Sequence, residues 1–319
     1  MNGDGRKSTV TLVGTLPPIK GISPYCAEYA RTLAEQTEVE FLNFKKLYPE
    51  KLYPGGTSCE DMYPVDLDHP NLKIKSFLSW YNPLSWIRAG LTLRGDIVHA
   101  QWWSYPLAPV YVTILTIARM RRKKVILTVH NVYPHERGKI KQLLNMLVLR
   151  FARLIFVHTE KNKEELVKLG YEKDRIEVIP HMALGRDILE VDRMNLSREE
   201  AKRELGLEEH RKVLCFFGNI REYKGLDELL LALGKVKLVI PDISLIIAGQ
   251  PWVKWEKYEK IIGEQGLEDH VIRKIRFLPF DELLLCLKAS DLVVFPFKEL
   301  HSASGSVSLA LSMGSDVMS

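Results

Sequence analysis

Short apolar segments alternate with amphipathic helical patterns along almost the whole chain. Segments such as TVTLVGTL (9–16) and VILTVHN (125–131) carry Val, Ile and Leu on both faces, as is typical of strands covered by helices on both sides. This alternation predicts an α/β fold with a doubly wound parallel sheet. The strands predicted in the first half are 9–16, 39–44, 72–77, 96–101, 125–131, 154–159 and 176–181, and the helices are 24–35, 106–120, 139–152 and 160–169.

The alternation stops over 182–196, where the sequence is polar and irregular, and a second series of strands follows. Ser197 and Glu200 fit a capping box at the start of the next helix. We therefore expect two domains, residues 1–185 and 186–319. The second domain is expected to have strands at 212–220, 244–249, 275–280 and 292–297 and a helix over 304–314, followed by the start of another strand.

The bulk composition excludes several classes of protein. Hydrophobic residues make up 46% and charged residues 27% of the 319 residues, as in ordinary globular chains. A net charge of +5 suits a phosphate-bearing partner, but it is too small to predict nucleic-acid binding. The longest apolar run, 105–118, is too short to span a membrane.

The four cysteines, Cys26, Cys59, Cys215 and Cys286, are far apart and form no C-x-x-C motif. This spacing favours reduced thiols over a disulfide framework. The polar start of the chain, MNGDGRKS, lacks the apolar region of a secretory leader. We therefore expect a cytoplasmic protein.

The segment CFFGNIREYKGLDELLLAL (215–233) joins an apolar strand to an amphipathic helix through a turn with two cations. Ligands of α/β sheets bind beyond the carboxyl ends of the strands, and Gly218 lets the backbone approach a ligand closely. Arg221 can hold two phosphate oxygens, Lys224 adds a positive charge, and Gly225 opens the helix. The turn predicts a diphosphate site; a solvated helix start is the alternative.

A second anion-binding pattern lies in PFKELHSASGSVSLALSMG (296–314). Ser304 can cap the helix, and the amides of Gly305 and Ser306 would then point outward at its positive end. Glu299 precedes this turn and could accept hydrogen bonds from ribose or sugar hydroxyls. An ordinary capped core helix is the alternative, but two such turns at strand ends of one sheet favour ligand binding.

In the first half, two strand ends carry candidate ligand-binding residues. TLPPIKGISPY (15–25) follows the first strand, and Gly21 can open a loop before the next helix, although the G-x-G-x-x-G pattern of a nicotinamide site is missing. His130 stands at the end of a predicted strand and can hydrogen-bond hydroxyls. His99 has a similar position. An ordinary connection and structural polar residues are the alternatives.

No pattern in the sequence predicts a metal site. His135 and Glu136 do not form an H-E-x-x-H motif. Asp66 and Asp68 form a D-x-D pair, but the pair lies in a Pro-flanked loop, which favours a solvated turn. We therefore expect no metal and no bound cofactor.

The segment IARMRRKK (117–124) joins an apolar helix to a cationic end. Such a segment fits a peripheral contact with the anionic inner face of a membrane. A sheet-covering helix with a solvated basic end is the alternative.

Taken together, these segments resemble the GT-B glycosyltransferases of glycosyltransferase family 4, and the resemblance spans nearly the whole chain. The most specific match is FFGNIREYKGLDELLLAL, which resembles the family's donor-phosphate motif. The segment IRFLPFDELLLCLKASDLVVFPFKELHSASGSVSLALSMG is similar to the family's C-terminal donor site. Five further segments follow the family's order: LPPIKGISPYCAEYARTLAE, DIVHAQWW, LTVHN, LIFVHTEKNKEEL and RIEVIPHM.

The resemblance implies two Rossmann-like domains that face a cleft, the second holding a nucleotide-diphosphate sugar and the first a glycan or lipid-linked acceptor. It also implies metal-independent transfer with retention of the anomeric configuration. Arg221 and Lys224 would neutralise the diphosphate leaving group, assisted by the amides of Gly305 and Ser306.

By the same resemblance, His130 would contact the transferred sugar near the reaction centre, and Gly21 would let the first loop approach the diphosphate. The family usually has paired glycines in this loop, whereas this chain has Ile22 in the second position.

The second anion-binding turn departs from the family pattern. Many members carry two Glu residues, where this chain has Ser302 and Ala310, and the second Glu usually holds the ribose. Glu299 could replace it. The sequence also ends before the last strands of the family's second domain, so we expect an incomplete donor domain.

The leading hypothesis is a retaining glycosyltransferase that acts in glycan or glycolipid synthesis. A sugar-nucleotide epimerase of the same fold and a non-catalytic, degenerate nucleotide-binding protein are the alternatives. The base, the sugar, the acceptor and the oligomeric state are not readable from the sequence.

Overall fold

The computed structural model forms two compact α/β units. Of the described residues, 9–47 and 65–182 belong to the first unit, and 183–185, 192–299 and 304–319 belong to the second. The structure describes residues 9–47, 49, 56, 58, 65–133, 138–185, 192–299 and 303–319. Cys59, His135, Glu136 and Ser302 lie outside the described residues.

The first unit contains a seven-stranded parallel sheet among its described residues. Its strands are β1 (Thr9–Gly14), β2 (Glu38–Lys46), β3 (Leu72–Ser79), β4 (Ile97–Trp102), β5 (Lys124–Val129), β6 (Leu154–Val157) and β7 (Ile176–Val178), in the order β3-β2-β1-β4-β5-β6-β7. Its helices are α1 (Ser23–Ala34), α2 (Pro83–Thr92), α3 (Ala108–Met120), α4 (Lys139–Leu149) and α5 (Glu160–Lys168).

The second unit contains a five-stranded parallel sheet among its described residues. Its strands are β8 (Lys212–Phe217), β9 (Ile243–Ala248), β10 (Val271–Lys274), β11 (Leu292–Val294) and β12 (Val317–Met318), in the order β10-β9-β8-β11-β12. Its helices are α6 (Arg198–Glu204), α7 (Leu226–Val236), α8 (Glu256–Glu264), α9 (Phe280–Ala289) and α10 (Gly305–Ser312).

In both sheets, the order in which strands are added reverses beside the first strand. In the first unit the reversal lies between β1 and β4, and in the second unit it lies between β8 and β11. Crevices form at the carboxyl ends of the strands where the order reverses, and open α/β sheets bind their ligands there. The topology therefore gives each unit one expected ligand site.

The two-unit fold follows from local patterns in the sequence. All six residues of β9 are buried, as expected for a strand covered on both faces. In α7, Leu226, Leu230 and Leu233 recur at helical spacing and pack into the core of the second unit. The predicted capping box of Ser197 and Glu200 is present at the start of α6.

One predicted strand needs correction, and one helix was not predicted. The predicted strand 275–280 is wrong: β10 is Val271–Lys274, and α9 begins at Phe280. The ladder pairs Lys274 with Ala248 and ends there, because β9 itself ends at that residue. Helix α2 was not predicted, since its apolar positions form an exposed face and not the buried stripe of a core helix.

The described cysteines, Cys26, Cys215 and Cys286, are free and buried, as the sequence predicted. In the described part of the chain, no helix combines the length and the hydropathy needed to cross a bilayer.

The packing of α2 on α3 leaves no room for a side chain at Gly90. A Cβ atom there would lie 2.7 Å from Cβ of Ile117. We therefore expect Gly90→Ala to lower the free energy of unfolding by about 1–2 kcal/mol, because overpacking outweighs the gain in helix propensity. The matched control is Gly263→Ala in α8, where the nearest atom would lie 3.7 Å away. Urea unfolding should show that the control is neutral or stabilising; equal losses in both variants would contradict the packing argument.

Candidate functional site

The turn between β8 and α7 brings together three of the predicted donor-site residues. Gly218 has a φ of 99°, in the region that favours glycine. A Cβ atom at Gly218 would lie 2.6 Å from Oγ of Ser306 and 3.0 Å from Nζ of Lys224. The ammonium group and the hydroxyl therefore converge on one bare backbone position, at the carboxyl ends of β8 and β11, where the sheet order reverses.

The aromatic ring of Trp252 supports the predicted phosphate ligand Arg221. The guanidinium carbon lies 3.9 Å from the centre of the Trp252 ring, which is close cation–π geometry. The Trp252 amide donates to the carbonyl of Ile220 at 2.9 Å, so the segment after β9 is tied to the turn after β8. Trp252 was not predicted from the sequence, where its only signal is a tryptophan just after a strand end.

The ammonium group of Lys224 is buried beside another cation. Burial and, to a smaller extent, the charge of Arg221 together lower the pKa of Lys224 to about 8. Within the described part of the chain, Lys224 has no carboxylate partner. A buried cation without an anion is costly, so the arrangement favours binding of an anion at this turn.

The start of α10 has the predicted capping geometry. Oγ of Ser304 accepts a hydrogen bond from the amide of Val307 at 3.4 Å. Gly305 and Ser306 form the first turn, whose amides have no acceptor within the helix. Glu299 is exposed and lies five residues before this cap.

In the first unit, His130 directly follows β5 and belongs to a buried cluster at the carboxyl ends of the strands. Nε2 of His130 lies 3.0 Å from Oε1 of Gln101, and Nδ1 lies 3.3 Å from Nε2 of His158. The ring of Tyr25 packs edge-on against His130, His158 and His181. Of these residues, only His130 was predicted from the sequence to contact a ligand; the available signal for the others was a polar residue near a strand end.

One carbonyl group fixes the proton positions of this histidine pair. Nδ1 of His158 lies 3.1 Å from the carbonyl oxygen of Ile179 and must donate to it. Burial lowers the pKa of His158 to about 4 and the pKa of His130 well below its usual value, so both rings are neutral near pH 7. Nε2 of His158 therefore accepts a hydrogen bond from Nδ1 of His130.

This assignment leaves Nε2 of His130 as an acceptor in need of a donor. Nε2 of Gln101 is buried without a partner, and half a turn of the Gln101 amide would direct its N–H to His130. His130 therefore presents a neutral acceptor at the end of β5, and a substrate hydroxyl would compete with Gln101 for it.

The loop after β1 and the first turn of α1 contribute unsatisfied polar groups to the first unit. The hydroxyls of Thr15, Ser23 and Tyr25 are buried without hydrogen-bond partners among the described residues. Each such group costs roughly 1–3 kcal/mol unless a polar molecule binds it. Gly21 lies in this loop with a φ of 94° and is exposed. The loop and the start of α1 thus combine an open backbone with polar groups that a ligand could satisfy.

Other polar residues singled out in the sequence make hydrogen bonds within the protein. His99 lies inside β4, where it contacts the hydroxyls of Tyr29 at 3.0 Å and Thr128 at 2.8 Å. Asp66 accepts from the amide of Asp68 at 2.8 Å in an exposed turn. Among the described residues, no group of His, Cys, Asp or Glu has the arrangement of a metal site.

Two family models match the chain. Residues 19–182 match the model of Glycosyltransferase Family 4, and residues 197–307 match that of Glycosyl transferases group 1. The chain belongs to glycosyltransferase family 4. The predicted resemblance is confirmed, and both matched segments contain candidate site residues.

Curated relatives share part of the sequence. A D-inositol 3-phosphate glycosyltransferase of Corynebacterium glutamicum (strain R) is 26% identical over 216 residues, which cover 63% of this chain and 50% of the relative. A D-inositol 3-phosphate glycosyltransferase of Mycobacterium sp. (strain KMS) is 29% identical over 153 residues, which cover 46% of this chain and 32% of the relative. The chain spans at most about half the length of these relatives.

Solved structures with the GT-B fold cover nearly the whole chain. Anabaena Alr3699/HepE in complex with UDP has a TM-score of 0.68 at 16% identity, covering 97% of this chain and 79% of that one. A sucrose-phosphate synthase from Thermosynechococcus elongatus has a TM-score of 0.67 at 12% identity, and the match covers 98% of this chain and 80% of the synthase. These similarities confirm the predicted GT-B architecture.

The pKa of Lys224 predicts that diphosphate binding takes up a proton. Without a ligand the pKa of Lys224 is about 8, and a bound anion would raise it, so a diphosphate bound at this turn should take up about half a proton at pH 8. The affinity should fall as the pH rises through 8 and beyond. Calorimetry in buffers of different ionisation enthalpy measures the uptake. Lys224→Met should abolish it; unchanged uptake in that variant would contradict the assignment.

Because the buried histidines are neutral in the folded protein, we expect the free energy of unfolding to decrease as the pH falls. Because burial lowers the pKa of His158 from 6.5 to about 4, the unfolded chain binds more protons than the folded protein between these values. The free energy of unfolding should therefore decrease below pH 6.5, by up to about 1.4 kcal/mol per pH unit for this one residue. His158→Asn can keep a donor to Ile179 and should reduce the slope in urea unfolding. Identical slopes would contradict the prediction.

Proposed function

We propose that this chain is a retaining, metal-independent glycosyltransferase that moves a sugar from a nucleoside-diphosphate donor to a glycan or lipid-linked acceptor. Membership of glycosyltransferase family 4 supports the reaction class. The structures of Anabaena Alr3699/HepE with UDP and with UDP-glucose make a uridine donor the first to test.

The observation that carries the proposal is the convergence of Lys224 and Ser306 on the bare Gly218 turn. This position lies where the order of the second sheet reverses, so it is the expected ligand crevice. Arg221 stands three residues before Lys224, and its face is held by Trp252. A diphosphate is the ligand that such a pair of cations, a hydroxyl and a helix start would bind best.

The proposed roles of the two cations follow from the negative charge that develops on the leaving diphosphate during transfer. When the bond between the anomeric carbon and the donor phosphate breaks, its electron pair stays on the diphosphate. Lys224 and Arg221 would stabilise that charge, and the amides of Gly305 and Ser306 would add their dipoles. Because these groups are fixed before the reaction, they would need little reorganisation as the bond breaks.

The first unit would supply the groups that hold sugar hydroxyls. His130 is neutral near pH 7, since burial lowers its pKa, so its role would be hydrogen bonding and not proton donation. The unpartnered hydroxyls of Ser23 and Tyr25 could bind further polar groups of a substrate.

One residue favours a second candidate function, a nucleotide-binding protein without transferase activity. Ala310 is fully buried in α10, in the position where many family members have a Glu that holds the ribose. A chain without that carboxylate could bind a diphosphate through Lys224 and still fail to position a sugar. Turnover, and not binding, separates the two candidates.

The test begins with binding. UDP, GDP, ADP and TDP are titrated calorimetrically into the wild type, Arg221→Ala and Lys224→Ala. Each lost charge-assisted contact should weaken binding of the preferred diphosphate about ten- to a hundredfold. Arg203→Ala is the matched control, because Arg203 is exposed and pairs with Glu209 in the same unit. An equal loss in the control, or no binding of any diphosphate, would contradict the proposed donor site.

Turnover is then measured with the nucleotide sugar of the base that binds. The acceptor screen includes D-inositol 3-phosphate, on which the curated relatives act by name. The anomeric coupling constant in proton NMR should be the same in donor and product, and EDTA should leave the rate unchanged. Binding without turnover would favour the nucleotide-binding alternative, and conversion of the donor sugar without an acceptor would favour an epimerase.

A further inference from the structure

The net positive charge of this protein comes from one stretch of the chain. Residues 71–159 contain 14 Lys and Arg but only 2 Asp and Glu, whereas the whole chain has 45 and 40. The rest of the chain therefore has 31 basic and 38 acidic residues and is net negative. The segregation is much stronger than the overall charge of +5 indicates, and the basic stretch contains α2, α3 and α4.

Helix α2 exposes a line of large apolar side chains. Leu84, Ile87 and Leu91 are 74%, 42% and 60% exposed. Their spacing of three and four residues places them on one face of the helix. The opposite face is buried through Ser85, Ala89 and the glycine that follows, so the exposed line is the outer surface of the helix.

Helix α4 repeats this arrangement. Ile140, Leu143 and Leu147 are 75%, 65% and 39% exposed, again at spacings of three and four residues. Helix α3 packs against both α2 and α4, and its last residue, Met120, is 77% exposed. With typical distances of 8–10 Å between packed helices, the two apolar lines run roughly 20 Å apart on one surface.

Cations border these apolar lines. Helices α2, α3 and α4 contain no Asp or Glu. Arg121 is fixed at the edge of this surface, because it donates to the carbonyls of Gly90 and Leu91 at 2.9 and 2.7 Å. Other exposed cations on or next to the three helices are Arg88, Arg94, Arg119, Arg122, Lys139 and Arg150.

We propose that the outer surface of α2, α3 and α4 binds an anionic phospholipid bilayer. The apolar side chains enter the boundary between head groups and acyl chains, and the surrounding Lys and Arg contact lipid phosphates. A bilayer accommodates this mixture of exposed Leu and Arg, because long cationic side chains can reach the head groups while their stems stay apolar. A protein partner would need a matching set of carboxylates to pair with these cations.

The surface goes beyond the proposed transferase function and does not depend on it. All of its residues belong to the first unit, whereas the diphosphate turn belongs to the second. Vesicle binding can be measured without a donor or an acceptor, so its failure would leave the donor site untouched. Loss of diphosphate binding would likewise leave the lipid surface untouched.

The experiment is co-sedimentation of the full chain with vesicles of phosphatidylcholine alone and with vesicles that also contain about 30% phosphatidylglycerol, which gives them an anionic surface. We expect binding to the anionic vesicles only, weakened by 0.5 M salt. Arg119→Gln with Arg122→Asn should lower the partition coefficient about 25-fold, because each cation near the surface contributes about fivefold. Asn also suits the positive φ of Arg122. The control is Lys254→Gln with Lys260→Gln, two exposed cations of the second unit.

The apolar contribution is tested separately. Leu84→Ser with Leu91→Ser should lower binding at least tenfold at every salt concentration. The control is Leu238→Ser with Val239→Ser, which are 78% and 82% exposed but lie in the second unit. Equal binding to both vesicle types, equal losses in both pairs, or no sedimentation at low salt would overturn the proposal. A dimer in light scattering that the Leu84 and Leu91 substitutions dissociate would show instead that this surface binds a second copy.

Discussion

Backbone-to-backbone contact at the carboxyl ends of β8, β9 and β11 is the constraint on which the candidate donor site depends. A Cβ atom at Gly249 would lie 1.8 Å from the carbonyl oxygen of Gly218, and one at Gly225 would lie 1.9 Å from that of Pro296. No side chain fits at either position. The turn that carries Lys224 is therefore packed directly against its neighbours, and the ammonium group is buried as a result.

The two units share a strand order, but the groups at the carboxyl ends of their strands differ in charge. In the second unit, the buried ammonium group of Lys224 has no carboxylate partner among the described residues, which would favour an anion at this crevice. In the first unit, burial keeps His130 and His158 neutral, and the carbonyl of Ile179 sets the direction of their hydrogen bonds. Taken separately, the strand ends of the second unit suit an anion, and those of the first unit suit neutral hydroxyl groups.

Charge would have two separate uses on this molecule. At the turn after β8, Arg221 and Lys224 are stacked or buried, so water would screen their attraction for an anion little. On α2, α3 and α4, the exposed cations would act together, each weakly, on a large anionic surface. The proposed diphosphate site would select a small ligand, whereas the proposed lipid surface would orient the protein without selecting one molecule.

The sequence by itself determined the strand–helix alternation, the Ser197 cap and the Gly218 turn, because each depends on neighbours within a few residues. It misplaced β10, since the end of a strand is decided by its partner in the ladder. The stacking of Trp252 on Arg221 and the pairing of His158 with His130 were decided by tertiary structure alone. Their partners are about 30 residues apart, and no local pattern encodes a contact between two strand ends.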